Sequence, residues 1–196
     1  DPHGPDTVRP PYDAMFADQT YQAPRTFDKP ETGLPSWGRK EGKFSGMASY
    51  YGMVKCIDDN VGKILDALRR AGLMENTIVV FTSDHGDLMG EYGQFQKARF
   101  YDITTRVPFI VAGPGVAKGQ RVEGLTEAVD VGPTLLTLAG LKPDGKMEGR
   151  NALDRSKPRE SVIGEIQGNG DLAADCPGHV CRRAWIRTDE WSLDFN

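Results

Sequence analysis

The sequence predicts an α/β fold, with a largely parallel sheet flanked by helices and the start of a small antiparallel sheet near the C-terminal end. Three observations support this fold class. Apolar runs typical of buried strands alternate with helical patterns, one long and one shorter. Turns rich in glycine or proline separate these segments. Two short strand-like stretches flank Thr188-Asp189, which indicates a closing hairpin.

The first 45 residues are rich in proline, glycine and charge and show no sustained period, which predicts a long ordered loop. A single apolar stripe follows Gly46 and predicts a long core-packing helix that stops at Gly72. Cys56 lies on this helix, and we expect it to be a buried thiol. The stripe consists of Met47, Tyr50, Val54, Ile57, Val61, Ile64 and Leu68.

The rest of the chain alternates strand and helix patterns. The first of these strands is expected to be buried on both faces, and a glycine-rich loop follows it to about Gln96. The predicted elements are strands at 77–82, 107–112 and 161–166, a helix at 129–139, and a hairpin that pairs 183–187 with 191–195.

Composition and charge narrow the function classes. The chain has 196 residues, 38% of them hydrophobic and 27% charged, which is enough for one domain with a sizeable core. A net charge of −4 provides no basic face for nucleic acid. No apolar run approaches the roughly 18 residues of a membrane span. Because the chain opens with Asp1 rather than methionine, we expect further residues upstream, and the sequence predicts neither a location nor an oligomeric state.

Cys176 and Cys181 bracket a short loop that contains His179. This spacing allows either a disulfide or two free thiols. A zinc site is the weaker interpretation, because a third and a fourth ligand are not evident.

The first apolar strand ends abruptly in Asp84-His85-Gly86-Asp87. Ligands of parallel sheets bind at the carboxyl ends of strands, and carboxylate and imidazole groups are metal ligands. A solvated turn is the competing interpretation, because Asp and Gly are common in turns. Lys97 follows ten residues after Asp87, where an ammonium group can hold a tetrahedral anion or stabilise charge on a departing oxygen.

These residues form part of a series of motifs, and with it the chain resembles the sulfatase branch of the alkaline-phosphatase-like superfamily. Each motif alone is weak, but they follow the family's order over nearly the whole chain. The resemblance implies an alkaline-phosphatase-like fold, present here incompletely. The motifs lie at 1–5, 51–65, 76–87, 97–102, 106–111, 130–140 and 147–150, with a further match at 186–193.

The resemblance implies roles for four residues. Asp84 and His85 match the second pair of the family's divalent-cation ligands. Lys97 and His3 match residues that contact the sulfate group and its leaving-group oxygen. The family most often uses calcium, so the resemblance implies Ca²⁺, with Mg²⁺ or Mn²⁺ as alternatives.

The resemblance implies no role for two nearby residues. Asp87 matches no ligand of the family, and we expect it either to support the site or to lie in solvent. Tyr92 stands where many sulfatases have a histidine.

Family members also carry an N-terminal half with another pair of aspartates. That half contains Cys-x-Pro-x-Arg or Ser-x-Pro-x-Arg, whose first residue becomes formylglycine, the nucleophile. Neither feature occurs in this sequence. We therefore expect a fragment whose partner is the missing N-terminal half, inactive alone. On this interpretation, 1–160 is the C-terminal part of the catalytic domain and 161–196 begins a C-terminal sheet subdomain.

Three functions follow from the resemblance. The first is hydrolysis of sulfate esters of small molecules or glycans by the intact parent. The second is hydrolysis of phosphonate monoesters or phosphodiesters on the same scaffold. The third is a non-catalytic, shortened relative that binds anions or a protein partner. The residues around the nucleophile, together with assays on both ester types, would separate the first two.

Overall fold

The computed structural model describes residues 2–4, 6–30, 44–97, 99–169 and 180–195. These residues fall into two compact units. The first contains the described residues within 1–74 and 85–107, and the second contains those within 75–84 and 108–195. The domain boundary predicted near residue 160 stays a prediction.

The first unit contains a 24-residue helix, α1 (Met47–Arg70). Gly72 ends the helix in the left-handed region, at a φ of 67°. The amide of Leu73 then donates to the carbonyl oxygen of Leu68 at 3.0 Å, which closes the last turn. The predicted long helix and its stop are confirmed.

One side of α1 packs on the segment that precedes it. Gly52 and Met53 are the buried residues of the helix. A β-carbon at Gly52 would lie 2.3 Å from the carbonyl oxygen of Tyr12, so only glycine fits this approach. The Tyr12 hydroxyl also donates to Asp59 Oδ2 at 2.9 Å.

The predicted apolar stripe is only partly covered. Val54 and Ile64 are 40% and 62% exposed. Cys56 is a free thiol, as expected, but it is half-buried rather than buried. The reason is that the contact with the preceding segment is centred on the Gly52 side of the helix.

The second unit contains a two-stranded sheet formed by β1 (Val79–Thr82) and β2 (Phe109–Ala112). The strands are antiparallel, and Phe81 lies opposite Ile110. These two side chains are 38% and 59% exposed. The prediction that β1 is buried on both faces was therefore wrong for this part of the chain.

The predicted parallel sheet is not confirmed. Within the described ranges every strand pair is antiparallel. Parallel neighbours ordinarily need a crossover helix between them. The connection from β1 to β2 instead holds a single 3₁₀ turn (Glu91–Gly93) and the four-residue helix α2 (Asp102–Thr105).

A second helix, α3 (Val131–Leu138), follows a 3₁₀ turn at Ala128–Asp130. Gly140 follows its end with a φ of 75°, and the amide of Leu141 donates to the Leu136 carbonyl oxygen at 2.8 Å. The helix predicted at 129–139 is confirmed, with its first residues in the 3₁₀ turn.

Asp130 is the centre of a buried polar cluster before α3, and it is only 1% exposed. Its Oδ2 accepts from the amide of Glu127 at 2.9 Å. Its Oδ1 accepts from the amide of Arg150 at 2.9 Å and from Arg159 Nη2 at 2.6 Å. Arg159 also pairs with the carboxylate of Glu127. The cluster therefore joins the start of α3 to the residues that lead into the next strand.

The last part of the second unit is a three-stranded antiparallel sheet, in the order β3-β4-β5. The amide of Thr188 donates to the Trp191 carbonyl oxygen at 2.8 Å and closes the turn between β4 and β5. The predicted small antiparallel sheet and its hairpin are confirmed. The strands are β3 (Val162–Asn169), β4 (Val180–Arg187) and β5 (Ser192–Phe195).

Cys176 and His179 lie outside the described residues, and the side chain of Cys181 in β4 is not described. The disulfide and zinc interpretations of this loop therefore stay untested. None of the helices in the described part of the chain is both long and apolar enough to cross a membrane.

Candidate active site

Asp84 lies just beyond the end of β1, as the sequence predicted. β1 ends at Thr82, and the hydroxyl of Ser83 donates to Asp84 Oδ1 at 3.3 Å. The Asp84 side chain is exposed. A carboxylate in this position is accessible to a cation from solvent.

His85 is held by a contact to its neighbour. Its Nδ1 lies 2.8 Å from the carbonyl oxygen of Gly86. Because a carbonyl oxygen can only accept, the ring proton of neutral His85 is on Nδ1. The ring therefore presents its lone pair at Nε2, which is the form that binds a metal ion.

Glycine is required at position 86 because the backbone there lies close to the backbone of Ile103 and Thr104. Its amide donates to the Thr104 carbonyl oxygen at 2.8 Å. A β-carbon at Gly86 would lie 2.0 Å from the carbonyl oxygen of Ile103. The φ of Gly86 is not positive, so the close approach of the two backbones, rather than a left-handed turn, is the physical reason for glycine at this position.

His3 and Lys97 are brought together from opposite ends of the first unit. Lys97 Nζ lies 3.1 Å from His3 Nε2, across 94 residues of sequence. The Nδ1 of His3 lies 2.7 Å from the Gly4 carbonyl oxygen. By the same argument as for His85, His3 carries its proton on Nδ1 and accepts a hydrogen bond from the Lys97 ammonium on Nε2.

The loop between Asp87 and Lys97 is closed by the Asp87 side chain. Asp87 Oδ1 accepts from the amides of Met89 and Gln96, both at 2.9 Å. Sequence reasoning left Asp87 either supporting the site or in solvent, and the structure gives it two backbone partners. An Asp two residues before a turn is typical of such a side-chain-to-backbone bond, so a signal was present.

Tyr92 packs in the first unit rather than pointing away from it. Its ring stacks on Tyr101 with 4.8 Å between centroids. Its amide donates to the hydroxyl of Thr26 at 3.0 Å. These contacts are those of a packing residue, and they assign no chemistry to the position.

A cavity of about 440 Å³ lies in the first unit. Gly4 and Gln96, the chain neighbours of His3 and Lys97, both line it. Burial raises the pKa of Tyr50 in this lining, and Asp87, Tyr51 and Asp6 raise it further, so the phenol keeps its proton. The lining also includes Asp6, Asp87 and Met89.

The cavity was not anticipated from the sequence. Tyr50 was placed in the apolar stripe of α1, and Asp6 lies in a segment without periodicity. Neither position carries a local signal for a cavity.

Asp84 and His85 have the donor chemistry for a hard divalent cation, namely a carboxylate oxygen and an imidazole nitrogen. They offer two candidate donor groups. Across the described ranges, no group of three or more His, Cys, Asp or Glu side chains is arranged to hold a metal ion. The residues fit part of a cation site.

Comparison with known proteins relates these positions to a family. The family model described as Sulfatase matches residues 1–141. The arylsulfatase of Clostridium perfringens is 32% identical, over 91% of this chain and 40% of its own length. The chain spans between 18% and 40% of the length of the first curated relatives it matches.

Solved structures share the fold. The phosphonate monoester hydrolase of Agrobacterium radiobacter matches 99% of this chain and 46% of its own, with a TM-score of 0.78 at 24% identity. A protein solved with its substrate D-glucosamine-2-N,6-O-disulfate matches 79% of this chain and 34% of its own, with a TM-score of 0.64 at 26% identity. From the extent of the family match and the similarity to the arylsulfatase, the chain belongs to the sulfatase family.

Proposed function

We propose that the protein containing this chain hydrolyses sulfate esters, with Lys97 and His3 at the leaving-group oxygen and with Asp84 and His85 as ligands of a divalent cation. On the family's preference, that cation is Ca²⁺. One observation carries the proposal. The two side chains that match the family's sulfate-contacting positions meet at 3.1 Å, although 94 residues separate them.

Lys97 and His3 have different tasks in this arrangement. As the leaving oxygen separates from sulfur, negative charge develops on it, and the Lys97 ammonium stabilises that charge and is the source of its proton. His3 accepts one N–H of Lys97 on Nε2 and so directs the ammonium. His3 itself can donate from Nε2 only after it has taken a proton there.

The cation would be held by Asp84 Oδ atoms and His85 Nε2, together with ligands from outside this chain. When bound, it supplies a positive charge that polarises the nonbridging sulfate oxygens. The nucleophile, expected to be formylglycine, also lies outside this chain, in the N-terminal half that we expect as its partner.

The test is replacement of Lys97 by alanine in the complete protein. Losing one such electrostatic contact typically lowers the rate by about 10²- to 10³-fold. The loss should fall on kcat more than on KM, because the charge develops in the transition state. It should be smaller for nitrophenyl sulfate than for an alkyl or sugar sulfate, because a good leaving group needs less help. Measurement of kcat and KM for these esters with the wild type and with the variant tests the role of Lys97.

Lys118→Ala provides the matched control, because Lys118 is an exposed lysine in a loop of the second unit. Arg99, the nearer cationic residue, is unsuitable because it is only 9% exposed and its loss would disturb packing. Equal effects of Lys97→Ala and Lys118→Ala would remove Lys97 from the site.

A second candidate is hydrolysis of phosphonate monoesters or phosphodiesters. The observation that favours it is the match of 99% of this chain to the fold of a phosphonate monoester hydrolase. The same enzyme preparation should be assayed on a phenyl phosphonate ester and on the sulfate esters. The sulfated sugar bound as substrate by another structural relative makes a sugar sulfate a suitable member of that panel. No turnover of either ester class would favour a non-catalytic binding role.

A further inference from the structure

The segment from Asp87 to Gln96 is a loop closed on itself. The amide of Leu88 donates to the Gln96 carbonyl oxygen at 2.7 Å. The amide of Gly90 donates to the Gln94 carbonyl oxygen, also at 2.7 Å. Leu88 and Gln94 are each 2% exposed. The loop is therefore a packed element whose two ends lie side by side.

Three residues of this loop have a backbone conformation that side chains disfavour. Met89, Tyr92 and Gln96 have φ values of 50°, 53° and 72°. Such left-handed residues are uncommon outside glycine, and they persist where surrounding contacts hold them. Strain of this kind often accompanies a functional site.

Asp87 acts on two of these three residues. Its Oδ1 accepts the amide of Met89 and the amide of Gln96, both at 2.9 Å. A single carboxylate oxygen thus joins the start of the loop to its end. Hydrogen bonds from backbone amides to a carboxylate are among the stronger ones, because the acceptor is charged.

Gln96 directly precedes Lys97, so its backbone conformation sets the direction in which Lys97 leaves the loop. Lys97 Nζ then reaches His3 Nε2 at 3.1 Å. Met89, Gln96 and Asp87 also line the cavity beside this pair, together with Gly4. A change in the loop would therefore move the Lys97 ammonium relative to His3 and to the cavity.

We propose that Asp87 is a positioning residue for Lys97: its carboxylate holds the strained loop closed and so aims the Lys97 ammonium at His3 and the substrate's leaving oxygen. The part of this inference that concerns the substrate's leaving oxygen rests on the proposed function. The loop closure and the Lys97–His3 contact can be tested without turnover.

The test compares Asp87→Ala, Asp87→Asn and Lys97→Ala by NMR. Two signals are followed in each protein: the ¹⁵N resonances of the His3 ring, and the hydrogen-exchange rates of the Met89 and Gln96 amides. In Asp87→Ala we expect the His3 ring resonances to move in the same direction as in Lys97→Ala, and exchange of both amides to become at least about tenfold faster. Asp87→Asn keeps a neutral acceptor, so it should recover most of the wild-type His3 signal, with faster exchange.

Asp144→Ala is the matched control. Asp144 Oδ1 accepts a hydrogen bond from the amide of Lys146 at 3.0 Å in the same kind of turn, and Asp144 belongs to the second unit. This variant should leave the His3 ring and both loop amides unchanged. If Asp87→Ala does not fold, the hydrogen-exchange rates of the Met89 and Gln96 amides in Asp87→Asn decide whether Asp87 holds the loop closed.

Unchanged amide exchange in the Asp87 variants, or a His3 signal that responds to Lys97→Ala but not to Asp87→Ala, would overturn the proposal. In the complete protein, Asp87→Ala should lower kcat by about 10²-fold with little change in KM, as expected for a misplaced catalytic group. If the complete protein turns over no ester, the proposed function fails, while the NMR result still decides whether Asp87 positions Lys97.

Discussion

Gly86 separates the two predicted ligands of the cation from Asp87, and its environment leaves no room for a methyl group. We expect Gly86→Ala to destabilise the fold by about 1–3 kcal/mol, because a β-carbon there would overlap the carbonyl oxygen of Ile103 and force the backbone to move. Urea unfolding followed by circular dichroism measures the change.

Gly62→Ala is the control for this prediction. Gly62 lies inside α1, and its β-carbon would meet nothing within 4 Å. Alanine should therefore stabilise the protein there, by about 0.5–1 kcal/mol. A Gly86→Ala protein as stable as the wild type would show that the loop accepts a side chain.

The sequence indicated the residue types of the candidate site better than their surroundings. Asp84 and His85 could be selected because a charged tip after an apolar run is unusual. Lys97 could be selected because an ammonium group on a loop near such a tip can hold a tetrahedral anion. The meeting of His3 and Lys97 could be expected only through the family resemblance, because no local pattern joins positions 94 residues apart. The reason for Gly86 could not be predicted, since the carbonyl oxygen that excludes a side chain belongs to Ile103 in α2, further along the chain. The roles of these residues stay predictions.

At the scale of the elements, the Asp130 cluster joins the start of α3 to the residues before β3. We expect Asp130→Ala to lower the free energy of unfolding by about 3–5 kcal/mol, because it leaves the guanidinium of Arg159, 15% exposed, without one of its two carboxylates. Chemical denaturation of the purified chain measures this loss.

An exposed ion pair offers the comparison. Arg121 pairs with Glu123 at 3.0 Å, and both side chains are more than three-quarters exposed. Arg121→Ala should change stability by less than about 1 kcal/mol. A comparable loss in both variants would mean that the buried position of Asp130 does not strengthen its contacts.

Element boundaries were predictable where glycine and periodicity mark them. α1 and α3 end where Gly72 and Gly140 adopt the left-handed conformation, and the C-terminal hairpin turns at Thr188. Strand pairing was not predictable in the same way. Alternation of helices and strands favours parallel pairs, but the direction of β2 depends on the connection from β1, which lacks a crossover helix in the described residues.

At the scale of the whole chain, the affinity for calcium tests how many metal ligands the chain contributes. Asp84 and His85 are the two predicted ligands, and the described residues contain no group of three or more His, Cys, Asp or Glu side chains that could hold a metal ion. We therefore expect titration calorimetry of this chain with CaCl₂ to show no submicromolar site, which would correspond to about 8 kcal/mol or more. The chain alone should also turn over no sulfate ester. Tight calcium binding by this chain would show that further ligands are present.

Both histidines of the candidate site are followed by glycine, and in both the carbonyl oxygen of that glycine accepts a hydrogen bond from Nδ1. The partner that fixes the tautomer is thus one peptide unit away along the chain. Such a setting persists when more distant contacts are rearranged. With its ring proton on Nδ1, His85 would need no change of tautomer to serve as a ligand of a divalent cation through Nε2.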